Sequence, residues 1–92
     1  MVGYGRTWQK GNTMGFAKSE AEIAERTARF LKAELKRANL TYDELAEQMK
    51  KHGMAETRNS ITAKLKRGTF PATFFIAAMV AMGAEVVKLE DI

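Results

Sequence analysis

Thr41-Tyr42-Asp43-Glu44-Leu45-Ala46-Glu47-Gln48-Met49 and Ser60-Ile61-Thr62-Ala63-Lys64-Leu65-Lys66-Arg67-Gly68 decide how this chain folds. Thr41 and Glu44 have capping-box spacing, in which a hydroxyl and a carboxylate each satisfy a free amide at a helix start. Leu45 and Met49 stand four apart and share a face, with Ala46 beside them. In the second stretch Ile61 and Leu65 share a face, cations gather at the end, and Gly68 is placed for a left-handed stop. Two short helices are therefore expected, at about 42–51 and about 56–67, with a turn near Gly53 between them.

Outward from this pair the pattern stays helical. Ser19 and Glu22 repeat the capping-box spacing. Ile23, Thr27, Phe30, Leu31, Leu35 and Ala38 then recur as one apolar stripe, with Glu25, Arg29, Lys32 and Lys36 opposite. A helix over 20–38 follows, ended by Asn39, which tolerates the left-handed conformation. After Gly68, Pro71 suits the first turn of a further helix at about 72–82. That helix, Phe74-Phe75-Ile76-Ala77-Ala78-Met79-Val80-Ala81-Met82, is apolar all round, which predicts a central or interface position. Its methionines and Phe74/Phe75 read as core. Val86, Val87, Leu89 and Ile92 mark a last short element of one or two helical turns; Glu85 to Leu89 also allows a short strand. Residues 1–18 differ: Gly3, Gly5, Gly11 and Gly15 break any period, so a flexible tail is expected before a folded unit at 19–92. Tyr4, Trp8 and Phe16 in that tail could pack on the domain or across a dimer. The fold class is all-α, with four to five short helices.

Ninety-two residues make one domain, able to bury roughly 60–70% of its unfolded surface. The chain has no cysteine, so a disulfide framework and a thiolate metal site are excluded. That composition, with no apolar run in the first twenty residues, leads to an expected cytoplasmic location. The longest apolar run, Phe74 to Met82, is far short of the roughly twenty residues a membrane span needs. The net charge of +4 is mild, but its placement is not even. Residues 50–67 carry Lys50, Lys51, Arg58, Lys64, Lys66 and Arg67 against Glu56 alone, a local charge of +5. A basic stripe on one element is the footprint of a phosphate-binding surface.

A braced helix followed by a basic helix is what a helix-turn-helix requires, the second helix entering the DNA major groove. Here the chain resembles the lambda-repressor-like (Xre-type) helix-turn-helix family. The resemblance rests on Leu35 to Leu40, on Thr41 to Ala46, on Asn59-Ser60-Ile61 with Lys66-Arg67-Gly68, and on Pro71 and Ala81-Met82-Gly83-Ala84. It covers about residues 30–92. The chain is also similar to a small group of uncharacterised bacterial proteins with the same core, a likeness that implies no activity. Three departures stand out. Tyr42 occupies a place where the family usually has glutamine. From Ala46 to Gly68 there are 22 steps, about six more than is typical of the motif's short turn. Ile61 and Leu65 are four apart where the family often has three. The resemblance implies sequence-specific binding of double-stranded DNA by a homodimer, in transcriptional regulation.

With the core set at Ile61 and Leu65, the opposite face of the second motif helix holds Glu56, Asn59, Ala63, Lys66 and Arg67, flanked by Arg58, Ser60 and Thr62. Arginine pairs bidentately with guanine and asparagine with adenine, while a small residue lets a helix approach closely. Arg58, Asn59, Thr62 and Ala63 are the expected base contacts. Tyr42, Lys50, Lys51, Ser60, Lys64, Lys66 and Arg67 are the expected phosphate contacts, which fix position without reading sequence. The blander reading is that Asn59 and Ser60 only cap the helix.

His52 is the single histidine, without the companions a zinc site needs, so no metal and no cofactor are expected. No serine, histidine and acid constellation suggests catalysis. A different class of function stays open: a helical protein–protein adaptor or oligomeric scaffold without DNA binding, including an antitoxin-like partner binder.

Overall fold

The computed structural model describes residues 18–92, and the tail with Tyr4, Trp8 and Phe16 lies outside the described residues. The element order is α1 Glu20–Ala38, α2 Tyr42–Lys50, α3 Arg58–Arg67 and α4 Ala72–Ala81, then a 3₁₀ turn at Leu89–Asp91. The described chain is all-α, without a strand; Glu85 to Lys88 runs irregularly into the 3₁₀ turn.

Side chains fix the helix starts. Ser19 Oγ accepts the Glu22 N–H at 3.1 Å. Glu22 returns its carboxylate to the Lys18 N–H, not to Ser19. That N–H, and after it Arg26, hold the Glu22 carboxyl below its usual range. At α2 the capping box closes fully: the Glu44 N–H donates to Thr41 Oγ1 at 3.1 Å and the Thr41 N–H to Glu44 Oε1 at 2.8 Å. α3 starts two residues later than its apolar spacing suggests, because Thr57 caps it. Thr57 Oγ1 accepts the Ser60 N–H at 3.1 Å, and Ser60 Oγ accepts the Thr57 N–H at 2.9 Å. Glu56 is thereby left outside the helix.

Three helices stop by one device. The N–H of Leu40, Met54 and Ala84 reaches back to the carbonyl of Leu35, Met49 and Met79, at 3.1, 3.1 and 2.9 Å. The residue before each is left-handed: Asn39, Gly53 and Gly83. This is the Schellman arrangement, which satisfies orphan carbonyls and turns the next apolar residue inward. Leu40, Met54 and Ala84 all pack against the core, so chain reversal and core closure are coupled.

The core draws Leu31 and Leu35 from α1, Leu45, Ala46 and Met49 from α2, Ile61 and Leu65 from α3, and Phe74, Ala78 and Met79 from α4. α2 packs on both α3 and α4, and α1 packs on α3. Two expectations need correction. In α1 the buried small residue is Ala28, while Ile23 and Ala38 face outward. The helix turns 100° per residue, so the stripe set by Leu31 and Leu35 passes through 28 and leaves Ile23 to one side, while Ala38 lies near the stripe but is the last residue of the helix and is exposed. Of the central or interface position expected for α4, the central one is excluded: Phe74, Ala78 and Met79 face in, but Ile76 is 60% and Val80 48% exposed. Phe75 is half-buried against Phe30, with ring centroids 6.3 Å apart. No helix among the described residues is long and apolar enough to cross a membrane.

Gly53 has a φ of 80° with open space where a Cβ would stand, so its role is conformational and not steric. Gly53→Ala should lower stability by about 1 kcal/mol, with Gly53→Asn costing less. Urea unfolding of the three chains checks this. Equal midpoints would show that the α2 stop does not depend on the left-handed residue.

Candidate nucleic-acid interface

The connection between α2 and α3 does more than reverse the chain. Lys51, His52 and Gly53 form the turn, Met54 folds back onto the core, and Glu56 then enters the interior. Glu56 is 6% exposed. An isolated carboxylate does not survive there, and this one is partnered on both oxygens. Ser60 Oγ donates to Oε1 at 2.6 Å, and Lys64 Nζ to Oε2 at 2.6 Å. The Lys64 ammonium also lies 5.0 Å from the centroid of the Phe74 ring, a cation–π distance, and Phe70 meets the same ring edge-on.

This cluster changes the charge map. Glu56 does not lie on the outer face of α3, and Lys64 and Ser60 are turned toward it instead of outward. Neither Lys64 nor Ser60 is positioned as a free phosphate contact, because the ammonium and the hydroxyl already serve the buried carboxylate. The six residues that remain exposed form three rungs along one face of α3: Arg58 and Asn59, Thr62 and Ala63, Lys66 and Arg67. All four expected base contacts lie on it. The face carries three cations and no acid.

Each rung has its own chemistry. Arg58 Nε stands 3.8 Å from Asp43 at the start of α2; both are about two-thirds exposed, so the pair is weak and its guanidinium is available. Asn59 is exposed and does not cap α3, a task taken by Thr57. The Thr62 hydroxyl donates to the Arg58 carbonyl at 2.8 Å, which leaves an oxygen acceptor and a methyl facing out. Ala63 keeps the middle of the face shallow. The Arg67 Nε–H donates to Thr69, at 3.0 Å to its carbonyl, folding that side chain over the helix end. Lys66 has no carboxylate in salt-bridge range among the described residues.

The expected phosphate contacts outside α3 divide. Tyr42 opens α2 and is half-buried against the core. Lys50 and Lys51 belong to the other end of α2, about 12 Å along the axis. Lys50 pairs with Glu47 at 3.3 Å in an exposed and weak bridge.

The sequence pattern places Glu56 in the first turn of α3 and so hides the Glu56–Lys64 pair. Its signal was the spacing Glu56, Ser60, Lys64, together with Thr57 and Ser60 at cap spacing. Glu56→Ala should cost about 2 kcal/mol, since it strands a largely buried ammonium and a hydroxyl. The double change Glu56→Leu with Lys64→Met should recover most of that loss. Denaturant melts of Glu56→Leu, Lys64→Met and the double variant test the coupling; strict additivity would show that the two groups do not depend on each other.

No curated protein matches the chain, and no solved structure matches it. One family does, over residues 23–87, a span that includes most of α1 and all of α2, α3 and α4. With that span, the chain belongs to the family described as Domain of unknown function (DUF6471).

Proposed function

We propose that this protein binds double-stranded DNA through α3, as a helix-turn-helix of the lambda-repressor-like kind, and acts in transcriptional regulation. The observation that carries the reading is the sorting of α3. Ile61, Leu65, Ser60 and Lys64 face inward, and the exposed face holds only Arg58, Asn59, Thr62, Ala63, Lys66 and Arg67. A face with cations at both ends, hydrogen-bonding groups between them and a small residue at its centre suits a major groove. Arg58, Asn59, Thr62 and Ala63 take the base edges. Lys66 and Arg67 take phosphates, helped by Tyr42 from α2. Helix starts capped on both motif helices hold these groups in place, which favours precise reading over loose attraction.

The protein acts as a homodimer in this reading. Ile76 and Val80 form an exposed apolar ridge on α4, beside Val86 at 72% exposure. That ridge supports symmetric pairing, and two-fold dimers read two half-sites one helical turn apart. The same ridge favours a second reading, a helical adaptor that binds a protein partner and no DNA.

Binding to random duplex DNA across a salt series separates the two. A DNA binder loses affinity linearly in log salt, with a slope of about −0.9 per phosphate neutralised. Lys66 and Arg67 alone predict a slope of about −2 per protomer. Selection from a random pool should return a palindromic site. Asn59→Ala should weaken that site roughly tenfold or more and leave scrambled duplex unchanged. Absence of binding at low salt overturns the proposal and leaves the adaptor.

A further inference from the structure

The cations of α1 are not equivalent. Arg26 pairs with Glu22, Arg29 with Glu25 at 3.4 Å, and Arg37 with Glu34. Lys32 and Lys36 have no carboxylate in salt-bridge range among the described residues. Both lie on the exposed side of the helix, with Arg29 one turn before Lys32.

Two surface grooves meet along this edge. One runs between α1 and the end of α3, where Arg29 and Lys32 face Lys66 and Arg67 across Gly68; Glu20 and Glu25 also line it. The other runs from Arg29, Lys32 and Lys36 to Tyr42 at the start of α2, and no acid lines it. Arg29 and Lys32 belong to both, so the grooves join into one basic strip. It begins at the last rung of the α3 face and ends at the N-terminus of α2. That terminus adds a positive dipole end, though its amides are partly used by the Thr41 cap.

We infer that the Arg29–Lys32–Lys36 edge of α1 is a second phosphate-binding strip, which carries the backbone of a duplex from Lys66 and Arg67 to Tyr42. The inference rests on the DNA-binding reading above and extends its footprint to a helix outside the motif. From Arg29 to Lys36 is about 10 Å along α1, room for about two phosphates of one strand. Arg29 is held only by an exposed ion pair, which a phosphate displaces at little cost. The strip contacts no base in this arrangement, so it sets affinity and orientation and leaves sequence preference to α3.

The test compares salt slopes on the full chain. Lys32→Gln/Lys36→Gln removes two exposed charges from the strip. Arg37→Gln/Lys88→Gln removes two from outside both grooves. Both variants should fold as the parent does, which circular dichroism checks. Affinity for a selected site and for a scrambled duplex is then measured across a salt series. The strip variant should lose about two units of slope, one per lysine, and weaken on both duplexes by the same factor. The control variant should keep the parental slope. A steep parental slope that the strip variant retains overturns this inference while the α3 reading stands. Equal losses in both variants also overturn it, since general charge would then account for the effect. A parent chain that does not bind DNA overturns the underlying reading itself.

Discussion

The carboxylate of Glu56 enters the interior two residues before α3 begins, with Ser60 and Lys64 each 2.6 Å away. Burying it without both partners would cost several kcal/mol, so the register of α3 is bound to this contact. A helix rotated by one residue would withdraw Ser60 and Lys64 and leave the charge alone. The same contact removes one cation and one hydroxyl from the surface of α3. What remains outside is set by what Glu56 has taken inside. The long connection thus has a structural use: it brings a carboxylate under the helix that follows and closes on the core through Met54.

Much of the fold was legible in local chemistry. Ser19, Thr41, Asn39, Gly53 and Gly68 each announced a helix end, and each stands where its side chain or left-handed backbone is needed. Leu31, Leu35, Leu45, Met49, Ile61 and Leu65 were readable as core from spacing alone. Three things were not. Thr57 and Ser60 form a capping box without the Glu or Gln that usually marks one, so the sequence places the start of α3 two residues before its cap allows. The inward turn of Glu56 and Lys64 leaves only their spacing with Ser60 in the sequence, and the Phe74 ring beside the ammonium comes from another helix. The exposure of Ile76 and Val80 was hidden by the uniform apolarity of α4: a helix with no polar stripe gives no clue to which side faces water.

The charge of the molecule reads differently once folded. A local charge of +5 over residues 50–67 is divided among the buried Glu56–Lys64 pair, Lys50 in an exposed bridge to Glu47, the exposed Lys51, and the three cations of the α3 face. Meanwhile Lys32 and Lys36, distant in sequence, join that face across two grooves. A linear count finds a basic helix; the fold produces a basic surface built from α1 and α3. The apolar ridge of α4 forms a separate feature, with no charged residue in the helix. The proposed division of labour follows from this, with the cationic surface for nucleic acid and the apolar ridge for a second copy.

The central claim is that α3 meets DNA with the face left exposed by the Glu56 contact. Backbone amide shifts of the full chain, recorded while a short duplex is added at low salt, test it most directly. The account predicts that the largest changes fall on Arg58, Asn59, Thr62, Ala63, Lys66 and Arg67, with Ile76, Val80 and Val86 unmoved by the duplex. Changes confined to α4 and the residues after it, or none at all, would contradict it.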